Sequence, residues 1–413
     1  MEILYTHCAG LDVHKKTVVA CRLQRDAKGQ TTQQTKTFGT MTADLLQLSD
    51  WLQEANVTHV AMESTGEYWK PVYNILEENF QLLLVNAYHI KAVPGRKTDV
   101  KDVAWIADLL QHGRLRPSFV PPPAQRELRD LCRHRSNFIR ERATLINRVQ
   151  KVLEGANIKL ARVATDVFGV SGRAMLSALV EGETDPSVMA DLAKGRLRDK
   201  REALEQALRG RVLASQRFIL SELLCQIDGL DETINRFNQE IATSCAPFES
   251  AVAHLDTIPG VARATAELIV SEIGTDMSRF PSPGHLAAWA GVAPGNNESA
   301  GKRLSGRIRQ GNHALRAGLV QAAHAATRTK TYLSSQDHRL AGRRGKKRAI
   351  LAVAHSILVI AYRLIERGQD YQDLGTDYFD RRRPDTTVRN LTTRLAQLGY
   401  EVVLTPKTAV EAA

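Results

Sequence analysis

The stretch Ala9-Gly10-Leu11-Asp12-Val13-His14-Lys15-Lys16 puts a carboxylate at the end of a short apolar run. A second apolar run, Thr17-Val18-Val19-Ala20-Cys21-Arg22-Leu23, follows at once. Both are rich in β-branched and apolar residues, so they read as neighbouring strands with Asp12 where the first one ends. A single strand-end aspartate is ordinarily a turn former, but three further acids downstream sit in matching contexts. Thr58-His59-Val60-Ala61-Met62-Glu63 is another apolar strand closed by an acid, with Ser64-Thr65-Gly66 behind it. Lys97-Thr98-Asp99-Val100-Lys101-Asp102-Val103-Ala104 opens a helix on which Asp99 and Asp102 share one face. Carboxylates converging in this way repel one another unless a cation lies among them. An all-oxygen set of this kind suits a hard divalent ion, Mg2+ above all.

As far as about residue 118, strands and helices alternate. Thr35-Lys36-Thr37-Phe38 reads as a third strand, and Ala43 to Leu52 has helical apolar spacing. Tyr68 to Leu76 is a second helix, and Gln81 to Asn86 a buried strand ahead of the helix of Asp99 and Asp102. Three early strands followed by helix, strand, helix, strand, helix is the order of an α/β mixed sheet of the ribonuclease-H-like kind. Sites in such sheets form where strands end, which is where Asp12 and Glu63 fall.

Pro121-Pro122-Pro123 closes this part, since such a run favours an extended linker over a helix. From Ala124 to about Leu160 the apolar spacing is that of one long helix, with Leu128, Leu131, Leu145, Val149 and Leu153 on its stripe. Its other faces carry Arg126, Arg129, Arg133, Arg135, Arg140 and Arg142. A solvated face is the plain reading. The excess of arginine over acid favours a phosphate-facing arm, with Arg126, Arg129, Arg133 and Arg140 as its contacts. A second long helix, from about Val212 to Ala242, makes either an antiparallel pair with the first or a dimerising coiled coil. Val163 to Arg211 reads as shorter helices. The expected divisions are therefore residues 1–120, 124–245, 250–368 and a tail, 369–413. They comprise an α/β domain, an all-α arm like a coiled coil, and a mainly helical C-terminal domain.

In that last domain Ile258-Pro259-Gly260-Val261 is similar to a helix-hairpin-helix turn, which offers backbone N–H groups to a phosphate. A tight helix corner explains it equally. Asn296 to His313 is polar, glycine-punctuated and basic, carrying Glu298, Ser299, Lys302, Arg303, Ser305, Arg307 and Arg309. It reads as a flexible loop able to hold phosphate oxygens and present a hydroxyl, although by composition alone it is a basic surface loop. Arg343-Arg344-Gly345-Lys346-Lys347-Arg348 is a further basic cluster at a helix start. The tail ends in a small helix-then-strand pattern to Leu404 and has no assigned role. A formal net charge of +11 over 413 residues favours a polyanionic partner. Cys8, Cys21, Cys132, Cys225 and Cys245 show no metal-binding spacing and read as reduced thiols of a cytoplasmic protein. No apolar run is expected to approach the roughly 18 residues that span a bilayer, so no membrane partner is expected.

Taken together and in order, Gly10-Leu11-Asp12-Val13-His14-Lys15, Met62-Glu63-Ser64-Thr65-Gly66, Lys97-Thr98-Asp99-Val100-Lys101-Asp102, Ile258-Pro259-Gly260-Val261, Ala288-Trp289-Ala290-Gly291-Val292-Ala293-Pro294, Glu298-Ser299 and Gly311-Asn312-His313 carry a family likeness. The chain resembles the DEDD-type insertion-sequence transposases, whose first domain is related to the Holliday-junction resolvase RuvC. The resemblance runs to about residue 368. It implies that Asp12, Glu63, Asp99 and Asp102 hold Mg2+ and that Ser299 is the nucleophile, with Ser305 its nearby competitor. It also implies attack of the serine hydroxyl on a DNA phosphodiester, giving a transient phosphoserine link and a free 3′ hydroxyl. Lys302, Arg303, Arg307 and Arg309 are then placed to neutralise the phosphate. Further implications are a guide RNA from the same element, pairing with donor and target DNA, and a homodimer or tetramer with composite sites. Two other readings stand beside it. One is a RuvC-like junction nuclease using activated water, with Ser299 structural, and the other is a non-catalytic nucleic-acid-binding protein. Only the transposase makes a covalent protein–DNA bond.

Overall fold

In a computed structural model, which describes residues 3–26, 28–64, 66–86, 102–295, 297–299, 301–308 and 310–405, the opening apolar runs form an antiparallel meander. Its strands are β1 (His7–Val13), β2 (Thr17–Arg25) and β3 (Thr31–Gly39). Helix α1 (Thr42–Gln53) leads to β4 (His59–Glu63), and α2 (Trp69–Leu76) to β5 (Gln81–Val85). The sheet order is β3-β2-β1-β4-β5, with β1, β4 and β5 parallel. This is the mixed α/β sheet expected from the order of the elements.

Side-chain alternation sends the sheet's two faces into different cores. Ala9, Leu11 and Val13 of β1, with Val60 and Met62 of β4, pack against Leu45, Leu48 and Leu52 of α1 and Leu76 of α2. Cys8, Ala61 and Val85 face the other way. There α3 (Asp102–Gln111) covers them with Val103, Ile106, Ala107 and Leu110. Cover on both faces explains why β1 and β4 are almost continuously apolar, whereas β3, at the edge, shows Thr, Gln and Lys to solvent. Helix α3 lies on the bare backbone of β1 at Gly10. A Cβ there would stand 2.6 Å from both the Ala107 nitrogen and the Val103 oxygen. The N–H groups of Leu4 and Tyr5 donate to the Gln111 carbonyl at 2.9 and 3.2 Å, so the end of α3 lies at the start of β1. Helix and strand are therefore antiparallel, and α3 begins at the end of the sheet where Asp12 stands.

The chain divides at the proline run into two units, residues 1–121 and 122–413. The prolines do not all stay outside helix: α4 (Pro123–Gly155) takes Pro123 into its first turn, where a missing N–H needs no partner. Four short helices follow, α5 (Leu160–Val163), α6 (Val170–Glu181), α7 (Pro186–Asp191) and α8 (Arg201–Leu208). The chain then returns through α9 (Ala214–Ser244), antiparallel to α4. Arg142 pairs with Asp231, and Arg135 Nη1 meets Asn238 Oδ1 at 3.1 Å. The short helices close the far end of this pair around Leu153, Leu160, Met175, Leu204 and Leu220.

Helices α10 (Glu249–Asp256), α11 (Arg263–Ile273), α12 (Pro283–Ala290), α13 (His313–Ala326), α14 (Tyr332–Arg344) and α15 (Lys346–Arg367) complete the core of this unit. Residues 122–413 form one unit. Ion pairs tie α4 to α11, and the tail is strapped back, with Asp370 Oδ1 2.7 Å from His254 Nδ1 and the Ser335 hydroxyl donating to the Thr376 carbonyl at 2.6 Å. The tail forms α16 (Tyr378–Arg381) and α17 (Pro384–Gln397), and no strand forms at Glu401–Leu404. The expectation about apolar length is corrected at α15. By length and composition it is the one helix among the described residues that qualifies for a membrane span. Its Val353, Ala354, Ile357, Leu358 and Ala361 are core residues, and the same buried positions raise its mean hydropathy.

Two outcomes follow from this packing. Gly10→Ala should lower stability by about 1–3 kcal/mol through overpacking against α3, read as a lower denaturant midpoint. An unchanged midpoint would mean that α3 does not rest on β1. Burial pushes the thiols of Cys8 and Cys132 up to about 12 and that of Cys245 to about 11, and raises Cys21 as well, while Cys225 is exposed. A thiol reagent should therefore label Cys225 alone in the native protein and the other four only after denaturation.

Candidate active site

Leu11 of β1 stands opposite Met62 of β4 in parallel register. The next residue on each strand is an acid, so Asp12 and Glu63 are side-by-side neighbours, with a strand spacing of about 4.8 Å. Both point to the face that Cys8 and Ala61 share, the face under α3. Asp12 keeps 29% of its side chain exposed, and its Oδ2 lies 3.2 Å from His14 Nε2. Asp102 is the first residue of α3, which begins at this same end. Three of the four expected acids thus arrive at one end of the sheet from three separate segments. Asp99 lies outside the described residues, and Asp102 is described by its backbone.

Among the described residues no three His, Cys, Asp or Glu side chains form a metal-holding group. The donor chemistry nevertheless fits a hard divalent ion, because the acids offer oxygen and lie at a partly open strand end. Cys8 and Cys21, on the same side of the sheet, are buried with raised thiol pKa values and do not compete as thiolate ligands.

In the second unit the serine segment is not the flexible loop expected. β6 (Asn297–Ser299) and β7 (Lys302–Ser305) pair as a hairpin, with Ser299 opposite Lys302. Gly301, at φ +73°, supplies the left-handed turn residue that a two-residue connection demands. The hairpin's base is pinned on both sides. Gly295 N–H donates to the Arg307 carbonyl at 3.1 Å, and Asn312 N–H to the Trp289 carbonyl at 3.2 Å. The Asn312 side chain accepts from Leu315 N–H at 3.0 Å, capping α13. Ser305 accepts from the Arg307 N–H at 3.1 Å. Lys302 and Arg307 are exposed, Arg303 lies on β7, and Arg309 falls outside the described residues.

The expected arginine contacts separate into two groups. Arg129 is corrected from a phosphate-facing residue to an internal one, with 13% of its side chain exposed, whereas Arg133 keeps 41% of its side chain exposed while pairing with the same acid. Arg133 grips the fully buried Glu272 with both arms, Nε to Oε1 at 2.6 Å and Nη2 to Oε2 at 2.9 Å. Arg129 Nε lies 3.2 Å from Glu272 Oε2, and its Nη2 donates to the Glu272 carbonyl at 2.6 Å. Burial pulls the Arg129 pKa down to about 10, leaving it charged at neutral pH. Arg135 makes a similar buried pair with Glu267 at 2.6 Å. Glu267 and Glu272 were missed in the sequence. Their signal was two acids in the mainly apolar run Ala264 to Ile273. Arg126 is half-buried, and Arg140 is exposed on its helix, donating to the Ser136 carbonyl. Arg343, Arg344, Lys346 and Lys347 are all exposed around Gly345, between α14 and α15. Gly260, in the α10–α11 turn, is used internally: a Cβ there would stand 2.4 Å from the Ala322 oxygen of α13.

Glu267→Ala should cost about 3–5 kcal/mol, because it leaves the Arg135 guanidinium buried without its anion. Equilibrium denaturation measures this, and a loss under about 1 kcal/mol would mean that the pair is solvated in solution.

Residues 9–158 match a family model described as a transposase of the DEDD, IS110 type, and residues 252–339 match one described as the transposase IS116/IS110/IS902 family. Curated relatives agree. A protein named as the transposase for insertion sequence element IS1111A, from Coxiella burnetii, is 24% identical over 76% of this chain and 79% of its own length. An uncharacterized 44.8 kDa protein of insertion element IS116, from Streptomyces clavuligerus, is 27% identical over 73% of this chain and 80% of its own. A protein named as a pilin gene-inverting protein, from Moraxella bovis, is 22% identical over 88% of this chain and 96% of its own.

Proposed function

The chain belongs to the IS110-type DEDD transposases and is a DNA transposase, and on that premise we propose that it cuts and rejoins DNA through a covalent bond to Ser299, assisted by Mg2+ at Asp12, Glu63, Asp99 and Asp102. The observation that carries the metal half is the parallel register that stands Asp12 beside Glu63, with α3 opening at the same end. A bound divalent ion supplies charge neutralisation for the oxygens gained and lost at phosphorus.

The remaining steps fall to the chain's own groups. The Ser299 Oγ attacks the phosphorus of a DNA phosphodiester, a P–O bond to serine forms and the bond to the 3′ oxygen breaks. The serine proton ends on that leaving 3′ oxygen. Negative charge gathers on the non-bridging oxygens, and Lys302, Arg303, Arg307 and Arg309 supply cations against it. Reversal with a different 3′ hydroxyl rejoins strands without an external energy source. Arg126, Arg140, Arg343, Arg344, Lys346 and Lys347 serve the nucleic-acid backbone in this reading. A guide RNA of the same element, pairing with donor and target DNA, a homodimeric or tetrameric assembly and a cytoplasmic location belong to the same proposal.

The test is a covalent-adduct assay with the element's flanking DNA, its RNA and Mg2+, resolved on denaturing gels. Wild type should give a protein–DNA adduct that Ser299→Ala abolishes and Ser305→Ala retains, while Asp12→Asn abolishes strand transfer and leaves RNA binding nearly intact. Cleavage with no adduct would replace this reading with the junction nuclease that uses activated water. Recombination at a normal rate by Asp12→Asn would remove the metal site.

A further inference from the structure

Glu272 occupies an unusual position for a carboxylate. It is fully buried on α11 and takes donors from two different places. Arg129 and Arg133 reach it from α4, and Asn312 Nδ2 reaches its Oε2 at 2.6 Å from the segment that closes the serine hairpin. Asn312 is not a passive neighbour. Its N–H is held by the Trp289 carbonyl, its Oδ1 caps α13, and Gly311 beside it is pressed so closely on residues 289–291 that a Cβ would stand 2.4 Å from the Gly291 nitrogen. Its carboxamide is therefore fully committed, with oxygen to the cap and nitrogen to Glu272. That polarity requires an acceptor at position 272. A carboxylate, with acceptor sites only, meets both arginines and the amide at once.

We propose that Glu272 is a positioning residue for strand cleavage, which fixes the base of the β6–β7 hairpin through Asn312 and references it to the arm helix α4 through Arg129 and Arg133. The inference deepens the proposed function and rests on its reading of Ser299 as nucleophile. A hairpin of this length carries its outer residues on a lever, so a small rotation at residues 311–312 displaces them by more than it moves the base. Displacements on the order of 1 Å at a reacting group cost up to about 100-fold in rate. Glu267 provides the internal comparison. It makes an equally buried ion pair from α4 to α11, through Arg135, and has no contact with Asn312 among its hydrogen bonds.

Single-turnover adduct formation should be measured in the full-length protein with its DNA, RNA and Mg2+, at a temperature where every variant is folded. In Glu272→Gln an amide N–H2 must face the donors, and in Asn312→Asp two carboxylates face each other across the same gap. Each should slow adduct formation on the order of 10- to 100-fold, with DNA affinity retained. The double variant Glu272→Gln with Asn312→Asp reverses the hydrogen bond between positions 272 and 312, keeps the cap on α13 and conserves net charge, but its amide N–H2 still faces Arg129 and Arg133, so it should react faster than either single variant without reaching the wild-type rate. Glu267→Gln should lower the melting temperature while keeping the rate. The proposal is overturned if Glu267→Gln slows the adduct as much as Glu272→Gln, if the double variant is no faster than either single variant, or if Glu272→Gln reacts at the wild-type rate. Should wild type form no adduct, the serine reading falls by itself. Hydrogen exchange then decides the positioning role: the Gly295 and Asn312 amides should exchange faster in both single variants and slow again in the double, and unchanged exchange would refute it.

Discussion

Two buried carboxylates on one short helix organise the larger half of this protein. Glu267 and Glu272 lie on α11 facing α4, and Arg135, Arg129 and Arg133 cross to them at distances of 2.6 to 3.2 Å. Taking such charges out of water costs several kcal/mol per ion, so the pairs are stable only because each acid is satisfied by more than one donor. Arg135 also meets Asn238 of α9 and the Ala264 carbonyl, and Arg263 meets Glu267 from within α11. The gain is therefore less in net stability than in specificity. An arginine-rich helix has many faces it could offer, and these acids select one of them. With α4 fixed, α9 pairs along it and the short helices gather at the far end, so the direction of the whole arm follows from α11.

In the first unit the corresponding constraint is steric rather than electrostatic. Gly10 allows α3 to touch the backbone of β1, and the helix can then run antiparallel to the strand with its first turn at the strand's end. A side chain at that position would lift the helix away from the sheet and carry Asp102 with it. The absence of a Cβ at one strand position thus serves the carboxylate two residues later, Asp12, by keeping its neighbours close. The acids gain a shared location from backbone geometry, before any ion is considered.

This difference explains what was legible in the sequence. Asp12 and Glu63 could be found because each ends a short apolar strand, a local pattern with period 2, and parallel pairing then sets them side by side. The order of the sheet followed from the order of the elements. Arg129 was misjudged, and the ion pair of Arg133 missed, because both depend on an acid about 140 positions along the chain. Nothing in the composition of the arginine-rich helix separates Arg133 from Arg140. The informative signal lay elsewhere, in two acids within an apolar helix, which seldom go inside unless something pairs with them. The hairpin at Ser299 was hidden for another reason. Polar, basic strands without apolar alternation look like loop, and only Gly301 marks the turn.

The pairing of Arg129, Arg133 and Arg135 with buried acids also changes how the charge of +11 bears on DNA. Those cations are neutralised by protein carboxylates and contribute little to counterion release, which depends on cations brought against phosphate. The surface positives that remain in this set are Lys302 and Arg307 on the hairpin, Arg140 on the arm, and the group from Arg343 to Lys347 flanking Gly345. With Ser299 as the proposed nucleophile, charge on the hairpin would act where phosphorus is attacked and so favour the transition state over the bound substrate. In the same proposal, charge at the α14–α15 junction would raise affinity for backbone of any sequence. Under the proposed RNA-guided reading, this second kind of contact would have to be strong and indifferent to sequence, and clustered Lys and Arg with few aromatic residues meet that need.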